Sequence, residues 1–147
     1  MNLIETFRKK LFEAFHLTED TIYLGEDVRN AHRGIAIGLH EEFGDERVID
    51  MPISESAFTG LSLGLSISGK NVFVEYNFAG LVYLGLDQIF NQAAKFRYMF
   101  GGKAETPVVI RTMYGGGISA ASQHSQTLTP IFTHIPGIKV VCPSSPY

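Results

Sequence analysis

Residues 48–60 read Val-Ile-Asp-Met-Pro-Ile-Ser-Glu-Ser-Ala-Phe-Thr-Gly, a short apolar strand-like run that passes into a helical pattern. Ser54 is a suitable N-cap, which places Glu55 in the first turn of the predicted helix. Three apolar residues are spaced to share one face of that helix: Phe58, Leu61 and Leu65. Open α/β sheets bind ligands where parallel strands end and their helices begin. Glu55 is therefore a candidate ligand-binding carboxylate; the alternative is a first-turn residue favoured only by the helix dipole.

The rest of the chain repeats this alternation of short strand-like runs and helical patterns. Strands are predicted at 21–24, 48–50, 72–76, 107–111 and 138–141. Helices are predicted at 2–16, 34–42, 54–67, 81–99 and 127–134. The alternation predicts an α/β fold with a doubly wound, mainly parallel sheet and helices on both faces. Residues 1–147 are expected to form one domain, since no linker or repeat interrupts them.

Composition excludes several classes of function. Hydrophobic residues make up 45% of the chain and charged residues 18%, with a net charge of −3, so no basic footprint for nucleic acid is present. No uncharged apolar run approaches the roughly 20 residues that a membrane helix needs. The single cysteine, Cys142, favours a reducing compartment, and the first residues lack a signal-peptide pattern. A cytoplasmic protein is the expectation.

Several motifs occur in one order along the chain. They are Ile49–Glu55, Val74–Ala79, Asp87–Lys95, Tyr114–Gly117 with Gln123–Gln126, and Pro136–Val141. Together they resemble the β subunit of the E1 component of 2-oxo acid dehydrogenases, which use thiamine diphosphate on pyruvate, branched-chain 2-oxo acids or acetoin. The resemblance implies a transketolase-like pyrimidine-binding domain. Family β subunits continue into a further α/β domain, which is absent from this sequence.

The resemblance assigns catalytic roles to Glu55 and His124. In the family, the glutamate of the P-I-S-E motif hydrogen-bonds a ring nitrogen of the cofactor's aminopyrimidine and promotes its activation, and Glu55 occupies that position. Ile53 and Phe58 flank this carboxylate and could partly desolvate it, an effect that the helix N-terminus would oppose. The histidine of the family's Q-H-S-Q motif lines the active-site channel, positions the intermediate derived from the 2-oxo acid and assists acyl transfer to lipoamide; His124 matches it. The remaining histidines are predicted to be structural or exposed: His16, His32, His40 and His134.

Two further positions are expected near the cofactor. Leu81 aligns with the aromatic residue that the family lays against the pyrimidine, and Gly80 replaces the usual acidic or amide residue before it. A leucine can still pack on the ring, with weaker stacking. Glu26 matches a family strand end near the cofactor and a subunit contact, and a surface or subunit-contact role is favoured for it. Phe78 and Tyr83 are predicted to be ordinary helix-face packing residues.

The resemblance also implies partners. The family holds Mg²⁺ and the diphosphate through a G-D-G…N motif on its α subunit, whereas this chain offers only the Gly-Asp-Glu at 44–46, in a turn. We therefore expect an E1 α-like partner carrying Mg²⁺, a homodimer or α2β2-type assembly, and a lipoyl E2 as a further candidate partner. The isolated chain is expected to be inactive.

Two other functions are compatible with parts of the sequence. A non-catalytic assembly or regulatory module derived from the same domain is favoured by Leu81 and opposed by Glu55 and His124. A serine hydrolase is suggested by the G-x-S-x-G pattern at 60–64, followed by Asp87 and His124. That pattern requires a turn between strand and helix, whereas this serine is predicted to lie in the middle of a helix.

Overall fold

The computed structural model describes residues 2–30 and 34–146, in which four parallel strands form one sheet. The strands are β1 (Thr21–Gly25), β2 (Val48–Asp50), β3 (Asn71–Tyr76) and β4 (Val108–Thr112), in the order β2-β1-β3-β4. The order changes direction at β1, since the chain passes from β1 to β2 on one side and returns to β3 on the other. This arrangement confirms the predicted α/β fold with a parallel sheet.

Helices cover both faces of the sheet. The helices are α1 (Leu3–Leu17), α2 (Leu39–Phe43), α3 (Glu55–Ile67), α4 (Phe96–Met99) and α5 (Thr129–Thr133). A 3₁₀ helix at Ala79–Gly85 and a π-helical segment at Gln88–Ala93 connect β3 to α4. One apolar cluster joins α1 and α2 to the sheet through Phe15, Tyr23 and Leu39. A second joins α3 to the opposite face through Phe58 and Val74.

The alternation along the strands explains these two clusters. Tyr23 belongs to the α1 side, whereas its neighbours Ile22 and Leu24 belong to the α3 side. All three are buried, because a parallel sheet covered on both faces has no solvated side. The run of apolar residues in β1 therefore follows from its central position.

Two predicted helices differ from those observed. The helix predicted at 34–42 is confined to Leu39–Phe43, because Gly34 and Gly38 have φ angles of +79° and +84°. The long helix predicted at 81–99 is divided into 3₁₀, π and α segments. Within it Gly85 packs so closely that a Cβ there would lie 2.7 Å from the hydroxyl oxygen of Thr59 on α3. The irregular helical backbone thus occurs where this segment packs closely against α3.

The last predicted strand is wrong. Residues 138–141 form no strand in the described part of the chain, and the sheet there ends at β4. Ile138 packs on the α3-side apolar cluster, whereas Val141 is 78% exposed. An apolar run becomes a strand only if a neighbouring backbone offers hydrogen bonds in register, and this segment has no such pairing among the described residues.

Over residues 2–30 and 34–146, no helix is both long and apolar enough to cross a membrane.

Candidate active site

The candidate site lies at the carboxyl edge of the sheet. Gly25 of β1 pairs with Asp50 of β2 on one side and with Glu75 of β3 on the other. Because the strands are parallel, the residues that follow each strand meet at this edge. Glu26 follows β1, the segment leading to α3 follows β2, and Asn77 follows β3.

Glu55 is the first residue of α3 and is buried, with 5% of its surface exposed. Ser54 occupies the predicted N-cap position, but its side chain makes no capping hydrogen bond. Of its two flanking apolar residues, Phe58 is fully buried, whereas Ile53 is 85% exposed. A first-turn carboxylate that only interacts with the helix dipole is usually exposed to water. The burial of Glu55 differs from that pattern.

The buried face of α3 is more polar than predicted. Leu61 is 42% exposed, and the side chains that face the protein include Thr59, Ser62 and Ser66. The Ser62 hydroxyl donates a hydrogen bond to the Thr59 carbonyl at 2.6 Å, and its surface is completely buried. Ser62 lies in the middle of a regular helix rather than on a nucleophile elbow, so this geometry does not suit a serine hydrolase.

Glu26 forms a part-buried polar pair with Asn77. The Asn77 side-chain amide donates to Oε2 of Glu26 at 3.1 Å. The other oxygens of the pair, Glu26 Oε1 and Asn77 Oδ1, are buried and have no hydrogen-bond partner among the described residues. Burial raises the pKa of Glu26, the negative charges of Glu55 and Asp27 act in the same direction, and the Asn77 hydrogen bond opposes them. Glu26 and Glu55 thus lie close enough to influence each other electrostatically.

A hydrogen-bonded hydroxyl pair supports the first turn of α3. The Thr59 hydroxyl donates to the Glu55 carbonyl and is also hydrogen-bonded to the Tyr76 hydroxyl. The Tyr76 ring packs edge to face on Phe58, with centroids 5.0 Å apart. Desolvation raises the pKa of Tyr76 to about 12, and the charges of Glu55 and Glu26 add to the effect.

His124 reaches the same edge through a ring contact. Its imidazole stacks on Phe78, with centroids 4.0 Å apart and planes 17° from parallel, and its Nδ1 is buried without a hydrogen-bond partner in the described residues. Phe78 therefore does not pack on a helix face as predicted; it precedes the 3₁₀ helix and contacts His124. Two consecutive residues thus make different contacts: Asn77 hydrogen-bonds Glu26, and Phe78 stacks on His124.

Gly80 and Leu81, the two positions that differ from the family pattern, both contact neighbouring segments. Gly80 lies against residues 123–126: a Cβ there would be 2.6 Å from the Gln123 carbonyl oxygen and 2.9 Å from the Gln126 amide nitrogen. The absence of a side chain is therefore required by packing. Leu81 is partly buried and packs against the α3-side apolar cluster, whereas Tyr83 is 41% exposed.

The other histidines have structural surroundings or lie outside the description. His16 pairs with Glu42 at 2.9 Å and His40 with Asp45 at 2.8 Å. His134 is exposed, and His32 lies outside the described residues. These positions agree with their predicted structural or surface character where they are described.

Two residues at this edge were not predicted as part of the site, Asn77 and Tyr76, and neither was Gln88, which lies against α3. The Oε1 atom of Gln88 is buried without a hydrogen-bond partner in the described part of the chain, and its side chain packs near Gly60 of α3. Asn77 carried a usable signal, since a polar residue directly after a buried parallel strand lies at the ligand-binding edge. The sequence contains no such signal for Gln88 or for the Tyr76 hydroxyl, because their positions depend on the contact between α3 and the irregular helical segment.

No group of three or more His, Cys, Asp or Glu residues arranged to hold a metal occurs in residues 2–30 and 34–146. The side chains at this edge include carboxylates, amides and aromatic rings, and the unpartnered acceptor oxygens of Glu26 and Asn77 suit a ligand with N–H donors.

The chain has clear relatives among known proteins. The family model described as "Transketolase, pyrimidine binding domain" matches residues 1–147. The chain is 60% identical over 114 residues to the acetoin:2,6-dichlorophenolindophenol oxidoreductase subunit beta of Cupriavidus necator, covering 78% of this chain and 33% of that protein. It is 42% identical over 148 residues to the Bacillus subtilis protein of the same name, covering 91% and 43%.

A third relative, the pyruvate dehydrogenase E1 component subunit beta of Staphylococcus epidermidis, is 38% identical over 150 residues, which cover all of this chain and 46% of that protein. The chain spans less than half the length of these relatives, all of them oxidoreductase subunits. The resemblance inferred from the motifs is thus confirmed, and the chain belongs to the transketolase pyrimidine-binding domain family, with E1 β subunits as its relatives.

Proposed function

We propose that this chain supplies the pyrimidine-binding side of a thiamine-diphosphate-dependent active site, in an E1-type oxidoreductase that decarboxylates a 2-oxo acid and transfers the acyl group to lipoamide. The observation that carries the proposal is the buried carboxyl group of Glu55 at the start of α3, next to a polar pair whose outer atoms lack partners among the described residues. Buried polar atoms are nearly always hydrogen-bonded in a complete site.

The unpartnered atoms fit the chemistry of an aminopyrimidine. Such a ring offers amino N–H donors and ring-nitrogen acceptors. The buried acceptors Glu26 Oε1, Asn77 Oδ1 and Gln88 Oε1 are available for N–H donors. Glu55, if protonated, donates to a ring nitrogen, and when ionised it accepts the proton back.

We assign these residues distinct roles. Bound thiamine diphosphate supplies the carbanion-stabilising chemistry. Glu55 holds or releases a proton at its carboxyl group, Glu26 and Asn77 orient the pyrimidine edge, and Leu81 packs against its face. His124 lies on the substrate side, where its imidazole binds or transfers a proton to the reacting oxygen.

We further propose that the diphosphate and Mg²⁺ are held by an E1 α-like subunit, as the resemblance to E1 β subunits implies. In this proposal the chain works in the cytoplasm as a homodimer or within an α2β2-type assembly, with a lipoyl E2 as a further partner. The candidate substrates are pyruvate, branched-chain 2-oxo acids and acetoin.

A non-catalytic assembly module is the second candidate. It is favoured by Leu81, because an aliphatic side chain that packs on the apolar core offers the cofactor less stacking than an aromatic ring. Calorimetry separates the two functions. Thiamine diphosphate with Mg²⁺ is titrated into the chain alone, into a candidate α subunit alone, and into their mixture.

Binding in the mixture alone supports a site shared between subunits. If the subunits assemble and no binding occurs, the assembly module is correct. Within an active complex, Glu55→Gln is expected to abolish turnover while the fold is kept, because an amide cannot exchange the proton. Glu19→Gln, at an exposed carboxylate, is the matched control. A fully active Glu55→Gln complex contradicts the role of Glu55.

A further inference from the structure

We propose that Phe78 is a positioning residue for His124 and that it sets the orientation of the imidazole in the site. The role of the imidazole in turnover rests on the proposed function, whereas the contact itself is independent of it. The two rings lie nearly parallel, with centroids 4.0 Å apart, which is a stacked geometry.

The hydrogen bonding of His124 indicates why a ring contact is needed. Functional histidines are usually oriented by a hydrogen bond at the ring nitrogen that does not react. Here Nδ1 is buried and has no hydrogen-bond partner among the described residues. Phe78 therefore restricts the imidazole plane where an Nδ1 hydrogen bond would otherwise do so.

The backbone on both sides of the contact is fixed. The Ala79 N–H donates to the Met113 carbonyl at 2.9 Å, which ties the segment after β3 to the end of β4. The Gly115 N–H donates to the Gln126 carbonyl at 3.1 Å, which closes the loop that carries His124. Both rings thus project from anchored backbone.

Gly80 provides a second, independent contact between the same two segments. A Cβ at this position would lie 2.6 Å from the Gln123 carbonyl oxygen, which is backbone and cannot turn aside as a flexible side chain would. Gly80→Ala is thus expected to displace the segment that carries His124. Gly116 offers a matched control in the neighbouring loop, because a Cβ there meets nothing within 4 Å.

The first test uses the chain alone and requires no activity. Imidazole C–H resonances are recorded by NMR, and that of His124 is assigned from its loss in His124→Gln. An imidazole stacked on an aromatic ring is shifted upfield by the ring current. Phe78→Leu is expected to remove this shift, and Phe78→Tyr, which keeps the ring, to retain it. An unchanged His124 resonance in Phe78→Leu overturns the proposal.

The second test uses the complex reconstituted with an α subunit. We expect Phe78→Leu to lower kcat about tenfold, because misplacing a catalytic group costs rate even when binding persists. The affinity for thiamine diphosphate with Mg²⁺ should not change, and Phe78→Tyr should restore kcat. Gly80→Ala should behave like Phe78→Leu, while Gly116→Ala stays normal. Unchanged kcat in Phe78→Leu refutes a positioning role.

The two tests separate this proposal from the proposed function. If the wild-type complex binds no thiamine diphosphate, the proposed function fails, and the NMR comparison of Phe78→Leu with Phe78→Tyr still decides whether Phe78 orients the imidazole. If the wild-type complex binds the cofactor and turns over normally, but Phe78→Leu changes neither the His124 resonance nor kcat, only the positioning role fails.

Discussion

Tyr76→Phe should reverse its effect on stability between neutral and alkaline pH. The substitution keeps the ring that packs edge to face on Phe58 and removes only the hydroxyl that is hydrogen-bonded to Thr59. The Thr59 hydroxyl retains its hydrogen bond to the Glu55 carbonyl, so the change leaves it with a partner. At about pH 7 the expected loss is that of one ordinary hydrogen bond, about 1 kcal/mol of unfolding free energy.

Alkaline pH acts on the wild type through the same hydroxyl. Burial raises the pKa of Tyr76 to about 12, against the ordinary 10.0. The unfolded chain therefore loses this proton first, so the contribution of Tyr76 is complete below about pH 10 and is lost as the pH rises toward about 12. At about pH 11 the wild type should have lost about 1.4 kcal/mol through this group, since one pKa unit corresponds to about 1.36 kcal/mol.

The variant has no phenolic proton to lose at this position. Tyr76→Phe should therefore equal or slightly exceed the wild type in stability at about pH 11. Comparing the two proteins removes the contribution of Tyr23, whose pKa is also raised by burial, because both proteins contain it.

The assay is urea unfolding followed by far-ultraviolet circular dichroism, at about pH 7 and about pH 11, for wild type and Tyr76→Phe. The difference between the two proteins should shrink from about 1 kcal/mol to zero or change sign. A gap that stays constant with pH would refute the reasoning, because it would mean that Tyr76 does not hold its proton more tightly when folded.

Three further predictions concern the same edge of the sheet and its supports. Glu26→Gln should raise the free energy of unfolding at about pH 7, because a carboxyl group whose pKa is raised by folding destabilises the folded protein as the pH rises above 4.5. The gain should vanish near about pH 4 in urea titrations, and a gain that persists there would contradict the prediction. Arg111→Met should cost about 3 kcal/mol in urea unfolding, because it breaks an ion pair with Glu75, a carboxylate that is only 3% exposed. Arg97→Met, at an exposed pair, should cost under about 1 kcal/mol, and equal losses would count against burial as the cause. Gly85→Ala should lower the melting temperature, because a methyl group would collide with the two hydrogen-bonded hydroxyls beneath it, and an unchanged melting curve would show that the irregular helix yields easily.

Local patterns were sufficient for the regular elements near the site. Strands β1 and β3 were predicted to within one residue, and α3 was predicted with Ser54 at its cap position. These elements have strong apolar runs separated by turn residues, so their type is decided within a few residues. Glu55 could be placed at the carboxyl edge of the sheet for the same reason, since its position follows from one strand, one cap and one helix.

Patterns failed where a segment depends on distant neighbours. The apolar run at 138–141 has the composition of a strand, but no adjacent backbone pairs with it in the described structure. Leu61 has helical spacing with Phe58, yet it faces outward because α3 turns its serine and threonine side toward the sheet and Gly85. The spacing of apolar residues along the chain does not specify which other segments will pack against them, or from which side.

The sequence by itself determined the α/β alternation, the family motifs and the carboxylate at the start of α3, because each depends on residues close together in the chain. Only the tertiary structure decided that Asn77 binds Glu26 and that Phe78 stacks on His124. Each of these contacts joins residues far apart in sequence, and each exists because parallel strands bring their carboxyl ends to one edge of the sheet. The burial that raises the pKa values of Glu26 and Tyr76 arises in the same way, from the packing of α3 and the segment after β3 over that edge.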